Sequence, residues 1–192
     1  MLKAIFRTSL VFTLLLLTGC GGSQFLTRDT PPANTKVVVV EFSDFNCPAC
    51  ASASELAKKI KAIPGLYFEF RHLPLPIRGH ETSSAAANAF ECAREQGQGD
   101  EMESALFDNQ GRLDAELFAK LPSLYDFGEN FDGEDYEQCL KEDRYGGLVG
   151  KDKRTAAVNG VNSTPTFFVN GEKTSGSNLL EVVKQAFEEA TE

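Results

Sequence analysis

Two cysteines separated by two residues, Cys47 and Cys50, form the part of this chain best suited to chemistry. Cysteines at this spacing at the start of a helix lie close enough for an unstrained disulfide. The free amides and the positive dipole end of a helix stabilise an anion, so the pattern predicts a lowered pKa for Cys47. Cys50 would then be the resolving thiol, and Pro48 suits the first helical turn. With Ala49 between them, the pair predicts a redox-active dithiol.

A closely spaced cysteine pair can also be half of a zinc site. The sequence contains no second pair of this kind. The other residues with suitable side chains are scattered and show no ligand spacing: Cys20, Cys92, Cys139, His72 and His80. We therefore expect no metal, and both histidines are left without a role. No motif indicates a flavin or nucleotide, so we expect no cofactor.

Hydrophobic patterning predicts the elements that position the dithiol. Residues 37–42 are apolar except for Glu41, which is typical of a central strand buried on both faces. Residues 51–62 have helical spacing and stop before Pro64 and Gly65, and residues 66–73 form a second strand. A strand, a helix and a strand in this order predict a right-handed crossover and a parallel pair.

The rest of the chain divides into a helical region and a return to the sheet. Residues 81–150 have helical composition, and we interpret them as an insertion. Residues 166–169 are a predicted strand, and Asn170-Gly171 predicts a two-residue hairpin turn before a short strand around Lys173. Ser177 is predicted to cap a last helix over residues 179–190.

The N-terminus predicts export. Residues 1–19 carry two basic side chains and an apolar stretch too short to span a bilayer, which is typical of a cleaved signal peptide. The tetrapeptide LTGC at 17–20 resembles the bacterial lipobox, which implies lipid modification of Cys20. The alternative is an ordinary signal that ends near a cysteine. Residues 20–35 are predicted to be a flexible tether, and residues 36–192 the folded domain.

The whole arrangement resembles the thioredoxin fold, specifically its DsbA-type thiol:disulfide oxidoreductases. The likeness rests on the CPAC motif at 47–50 after a strand and on the STPT sequence at 163–166 before a late hairpin. It covers residues 36–192 and implies an α/β thioredoxin fold with an inserted helical subdomain. It also implies an enzyme that exchanges disulfides through a mixed disulfide on Cys47.

The resemblance assigns further residues. Pro165 is similar to the family's cis-proline, with Thr164 pairing with the backbone of a substrate; the alternative is a proline that opens an edge strand. Glu41 is similar to the buried acid that moves protons to and from the resolving thiol, the alternative being a solvent-facing strand residue. A disulfide between Cys92 and Cys139 is also implied, the alternative being two buried thiols.

The direction of exchange stays open. Ala49 stands where the best-known oxidant of this class has a histidine. The absence of that histidine is expected to lower the reduction potential by tens of millivolts, where about 30 mV corresponds to 1.4 kcal/mol. The chain is therefore a disulfide donor, or a reductase or isomerase kept reduced by a membrane partner. A nonenzymatic peptide-binding lipoprotein is the rival from another class, and a chaperone for soft metal cations is a weaker idea.

Charge and export define the expected partners and location. The formal net charge of -9 makes nucleic acid an unsuitable partner. Exported proteins meet an environment where disulfides persist. We expect the chain to act in a bacterial cell envelope, on cysteine-containing exported proteins and a membrane redox partner, and to contact the membrane through a lipid on Cys20.

Overall fold

A four-stranded mixed sheet forms the centre of the protein in a computed structural model that describes residues 26–191. Its strands are β1 (Val37–Ser43), β2 (Leu66–His72), β3 (Thr166–Val169) and β4 (Glu172–Thr174). The order across the sheet is β2-β1-β3-β4. β1 is parallel to β2, whereas the β1–β3 and β3–β4 pairs are antiparallel. The predicted parallel pair and late hairpin are both present.

Two helices flank the sheet and five lie between β2 and β3. The flanking helices are α1 (Pro48–Lys61) and α7 (Leu179–Glu189). The inserted helices are α2 (Ser83–Glu95), α3 (Gly99–Asp108), α4 (Ala115–Leu124), α5 (Gly133–Glu142) and α6 (Gly146–Val158). The predicted α/β fold with an inserted helical subdomain is confirmed.

The helical region extends eight residues beyond its predicted end. Gly150, where the prediction stopped, lies inside α6. This helix buries Val149, Asp152 and Ala156, and it packs against β2. The sequence pattern gave no signal for this continuation, and burial of that face offsets the low helix propensity of glycine.

β1 lies between β2 and β3, and both of its faces are covered by other parts of the protein. Val37 and Val39 pack into the cluster formed with α7, and Val40 and Phe42 pack into a cluster on the opposite face. Glu41 lies between Phe70 of β2 and Phe167 of β3 in the register. The dithiol therefore follows directly after the carboxyl end of a buried strand.

Two tight turns, one before β2 and one between β3 and β4, contain residues that readily adopt positive φ angles. Gly65 has a φ of +82° in the turn that leads from α1 to β2. Asn170 and Gly171 have φ values of 49° and 91°, as the predicted two-residue hairpin turn requires. The predicted cap of α7 is wrong by one residue: the N-cap is Asn178, because the Ser177 hydroxyl bonds to neighbouring side chains.

Residues 26–28 lie against β2, although the sequence predicted a flexible tether over 20–35. Leu26 is buried, and its carbonyl accepts a hydrogen bond from Arg71 Nη1. The Arg28 amide donates to both carboxylate oxygens of Glu69, at 2.8 and 2.9 Å. We call residues 26–35 the strap. Its polar composition hides this role, because charged side chains hold it in place and apolar periodicity does not.

The insertion has a core that is continuous with the dithiol. Cys92 of α2 and Cys139 of α5 are joined by a disulfide, with their Cα atoms 5.9 Å apart. The same cluster of buried side chains contains Phe45, Cys47 and Cys50. The insertion therefore packs directly behind the start of α1.

Candidate active site

The dithiol lies at the N-terminus of α1. Cys47 is the N-cap residue and Cys50 lies in the first turn. Cys47 is 8% exposed and Cys50 is fully buried. The two residues between them, Pro48 and Ala49, are exposed. Only the first thiol is therefore open to a reaction partner.

The two thiols are perturbed in opposite directions. Hydrogen bonding from the Cys50 thiol, aided by Thr164 and the backbone N–H groups of Ala49 and Cys50, lowers the pKa of Cys47 to about 5. Burial raises the pKa of Cys50 well above its ordinary value. At neutral pH the pair holds one thiolate and one thiol. This is the division between nucleophile and resolving cysteine that the spacing predicts.

Thr164 and Pro165 lie beside the first thiol, immediately before β3. Their peptide bond is cis. While Cys47 is protonated, its Sγ donates a hydrogen bond to the carbonyl oxygen of Thr164 at 3.4 Å. The Thr164 hydroxyl is buried and makes no hydrogen bond to any other group among residues 26–191, but it lies near the Cys47 sulfur and lowers the pKa of that thiol. It is therefore available to stabilise a thiolate.

Glu41 is buried in the middle of the sheet and does not face solvent. Its exposed fraction is 1%, and its Oε2 has no hydrogen-bond partner among the described residues. Burial, followed by the neighbouring charge of Glu103, raises the pKa of Glu41 to about 8. A carboxyl group with this pKa exchanges a proton near neutral pH.

The sequence analysis missed the partners of this buried acid. Glu103 is 1% exposed, comes from α3 of the insertion, and forms an ion pair with Lys61 at the end of α1. Lys61 also contacts Asp100 at 3.3 Å, and both line an open cavity of about 600 Å³. Sequence spacing holds no signal for this group, since α1 and α3 are 37 residues apart.

A second missed group holds the loop before the dithiol. The buried Asp44 carboxylate accepts hydrogen bonds from the amides of Asn46 and Leu75, at 2.9 and 2.8 Å, and from the Ser83 hydroxyl at 2.5 Å. His80 Nδ1 lies 2.8 Å from the same carboxylate. The His80 side chain, which the sequence left unassigned, therefore helps to fix the approach to Cys47.

The insertion also reaches the loop from the other side. Gln110 Nε2 donates to the carbonyl oxygens of Phe45 and Cys47, at 2.8 and 2.9 Å. His72 serves elsewhere: its Nε2 lies 2.7 Å from Glu91 in a buried cluster of charges. The loop that presents Cys47 is thus held by residues from two separate parts of the chain.

The structure brings most of the predicted site residues into one place. Cys47, Cys50, Thr164 and Pro165 lie together, and Glu41 lies in the strand that leads to them. Cys92 and Cys139 lie deeper, in the insertion. Cys20 is outside the described residues.

Two further searches cover only residues 26–191. Within them, no group of three or more histidine, cysteine or acidic side chains is arranged to hold a metal ion. None of the helices in this range has the length and apolar character needed to cross a bilayer.

The chain is similar to known proteins over nearly its whole described length. A family model described as Thioredoxin matches residues 32–189. An Na(+)/H(+) antiporter NhaA 3 of Salinispora tropica is 32% identical over 157 residues, which is 81% of this chain and 23% of that protein. NhaA 1 of Mycobacterium sp. (strain KMS) is 34% identical over 145 residues, 73% of this chain and 23% of that protein. The chain thus spans under a quarter of these relatives.

Solved structures match the chain along most of its length. A thioredoxin-like oxidoreductase from Silicibacter pomeroyi DSS-3 is 27% identical with a TM-score of 0.68, covering 86% of this chain and 96% of that one. Oxidised BdbD from Bacillus subtilis is 22% identical with a TM-score of 0.67, covering 84% of this chain and 91% of that one.

Proposed function

The chain belongs to the thioredoxin family, and from this premise we propose that it is a DsbA-like thiol:disulfide oxidoreductase that donates disulfides to exported proteins while anchored by a lipid on Cys20. One observation carries the proposal. Cys47, with a pKa lowered to about 5, lies at a helix N-terminus next to a buried Cys50 whose pKa is raised. This is the arrangement that lets one sulfur accept and release a partner while the other resolves it.

The reaction starts from the oxidised pair. A substrate thiolate attacks the Cys47 sulfur, the bond between Cys47 and Cys50 breaks, and Cys50 leaves with the electron pair. A second thiolate of the substrate then attacks the mixed disulfide, and the Cys47 sulfur leaves as a thiolate. The substrate loses two electrons and gains a disulfide, while the dithiol gains two electrons.

Glu41 would supply the proton for the buried leaving group. Cys50 cannot stay ionised at its buried position, because burial raises the pKa of its thiol. Glu41 is protonated over much of the neutral range because its pKa is about 8, so it can donate a proton as Cys50 leaves. Glu103 and Lys61, next to the open cavity, offer a route by which the carboxyl regains that proton from water.

The thiolate of Cys47 favours the direction of donation. The lowered pKa of Cys47 stabilises the reduced pair at pH 7, because Cys47 is then a thiolate, and this makes the disulfide more oxidising. This stabilisation acts against the loss of the histidine that Ala49 replaces. We therefore favour a disulfide donor over a reductase or isomerase.

The cis-proline segment would hold the substrate. Thr164 and Pro165 are half-buried beside Cys47, whereas Pro48 and Ala49 are exposed, so an open surface adjoins the reactive sulfur. An extended substrate strand bound there could pair with the backbone of Thr164. Recognition of backbone suits an enzyme that acts on many different exported proteins.

The first test is the equilibrium with glutathione. We would use the mature chain with Cys20→Ser, leaving the disulfide of the insertion intact, and follow the dithiol by alkylation and mass spectrometry. We expect dilute reduced glutathione to open the bond between Cys47 and Cys50. A disulfide that survives until a strong reductant is added would instead make the chain a reductase that a membrane partner supplies.

The second test traps substrates. A Cys50→Ala variant cannot resolve its mixed disulfide, so it should accumulate adducts with envelope proteins on Cys47. The matched control, Cys47→Ser with Cys50→Ala, should give none. Absence of adducts from both would favour the nonenzymatic peptide-binding lipoprotein, which should also tolerate serine at both positions in vivo.

The lipid is tested by fractionation. The wild-type chain should remain with the membrane fraction and carry the added mass of lipid on its N-terminal peptide. A Cys20→Ser variant should be released. Recovery of the wild-type chain as a soluble protein cleaved elsewhere would point to an ordinary signal peptide.

A further inference from the structure

The strap is held by a buried network of charges. Arg28 Nη1 donates to Glu91 Oε1 at 2.9 Å, and its Nη2 and Nε bond to the Asp152 carboxylate. Glu69 completes the set by accepting from the Arg28 amide. Arg28 joins residues of β2, α2 and α6, so the strap is tied to three separate elements of the domain.

The domain needs Arg28 to balance its own charges. The carboxylates of Glu69, Glu91 and Asp152 lie together and are all buried. Besides Arg28, two arginines neutralise these carboxylates: Arg71 is fully buried and bonds to Asp152, and the half-exposed Arg94 bonds to Glu91. Buried charges of one sign are costly unless they are paired. Release of the strap would leave three carboxylates with two arginines, so the free energy of this group opposes release.

The strap enters at the end of the sheet that carries the dithiol. Leu26 bonds to Arg71, close to the carboxyl end of β2, and packs in the same cluster as Phe42 and Leu73. The chain then passes Glu69, and the Lys36 amide reaches the Gly65 carbonyl at 2.7 Å, just before β2 begins. The strap therefore runs antiparallel to β2, from the dithiol end to the opposite end.

This direction limits how an anchored domain can stand on a membrane. Five residues separate Cys20 from Leu26, and six fully extended Cα–Cα steps reach about 20 Å. A domain of this size has a radius of gyration of about 15 Å, which corresponds to a diameter of about 40 Å. The linker joins the domain at its dithiol end and reaches only about half the domain's diameter. The domain therefore cannot rotate so that its dithiol end points away from the bilayer.

We propose that the strap and the anchor together hold the dithiol end of the sheet towards the membrane surface, so that Cys47 meets a thiol or disulfide presented there by a membrane-embedded protein. This inference rests on the lipid that the proposed function places on Cys20. If the folded domain began only at residue 36, the flexible segment from Cys20 would reach about 55 Å, and the domain could take every orientation on the membrane.

The chain offers a direct optical test, because it contains no tryptophan. One variant, Ile77→Trp, places the probe at the dithiol end: Ile77 is 54% exposed, in the loop whose Leu75 and His80 bind Asp44. The other, Thr191→Trp, places the probe at the opposite end. Phe187, in the last turn of α7, lies beside Gly65, and Thr191 bonds to the Phe187 carbonyl. Energy transfer to dansyl-labelled headgroups in phosphatidylcholine vesicles reports the distance of each probe from the bilayer.

The anchor is added chemically, so that the geometry is tested independently of lipidation in cells. A lipid thioester couples selectively to the N-terminal cysteine of the chain that begins at Cys20. We expect transfer from Ile77→Trp to exceed that from Thr191→Trp several-fold. Twelve Gly and Ser residues inserted after Gly22 should remove the difference without touching the fold.

Two outcomes would overturn the inference. Equal transfer from the two positions with the natural tether, or greater transfer from Thr191→Trp, would show that the dithiol end does not face the bilayer. Failure of cells to lipidate Cys20 is a separate result: it would refute the anchored function while the coupled protein still reported the geometry.

Discussion

Replacing Glu41 with glutamine should stabilise the protein at neutral pH, although it removes a side chain that we place in the mechanism. The pKa of Glu41 is raised from an ordinary value of 4.5 to about 8 because the carboxyl is buried. Glutamine has nearly the same shape and no charge. At neutral pH the wild-type carboxyl ionises when the chain unfolds, and this ionisation favours the unfolded state. The glutamine variant has no such ionisation and is therefore more stable.

The sign and size of the effect follow from proton linkage. Below pH 4.5 the carboxyl of Glu41 is protonated in both states, and the two proteins should differ little. Between pH 4.5 and 8 the unfolded wild-type chain is ionised and the folded one is not, so the wild type loses about 1.4 kcal/mol of stability per pH unit relative to the variant. The gap should reach about 3 kcal/mol at pH 7 and stop widening above pH 8.

Glu91 provides a matched control of opposite sign. Burial alone would raise the pKa of Glu91, but the hydrogen bond to His72 and the charges of Arg28 and Arg94 lower it to about 2. Its stabilising effect is present above its ordinary pKa of 4.5 and is lost as pH falls towards 2. Glu91→Gln should therefore destabilise the protein by about 3 kcal/mol at pH 7, and by less in acid.

The assay is urea unfolding from pH 3 to 8.5. Serine at both Cys47 and Cys50 removes the titration of the dithiol from all the proteins compared. A stability difference between Glu41→Gln and its parent that does not change with pH would refute the reasoning, because the carboxyl would then ionise equally in both states. A destabilised Glu41→Gln protein at pH 7 would contradict it as well.

Three further predictions concern other parts of the site and fold. Thr164→Val should raise the pKa of Cys47, measured by thiolate absorbance, because it removes a buried hydroxyl near the sulfur, and Thr164→Ser should keep it low. Serine at both Cys92 and Cys139, which are 47 residues apart, should lower the unfolding free energy by about 4 kcal/mol in chemical denaturation; an unchanged stability would contradict this. Arg28→Met should lower the unfolding free energy by about 3 to 5 kcal/mol by leaving buried carboxylates unpaired, and recovery should be partial with Arg28→Lys.

The residues around the dithiol could be predicted because their signals are local. A helix N-terminus, a proline at its first position and the spacing of Cys47 and Cys50 all lie within one short segment. The hairpin at Asn170 and Gly171 is equally local, since those residue types adopt the backbone angles of its turn. The error at the cap of α7 shows how little separates two adjacent polar residues when the surrounding loop decides their hydrogen bonds.

The groups that adjust this site could not be predicted from the pattern. Glu103 approaches Glu41, and Gln110 reaches the Cys47 loop, only because the insertion folds back over the end of α1. The strap was mistaken for a tether for the same reason. The residues around Arg28 show no apolar periodicity that marks it, and its stabilising effect comes from three carboxylates that lie 41, 63 and 124 residues away.

By itself, therefore, the sequence determined which two cysteines lie at the start of α1 and the order of the elements around them, because turn, cap and strand preferences depend on neighbouring residues. The tertiary structure alone decided the environment of those atoms: how deeply Cys50 and Glu41 are buried, which charges surround them and where the N-terminal strap lies. Burial and electrostatic interactions act between residues that are distant in the chain, and they set the pKa values on which the chemistry depends.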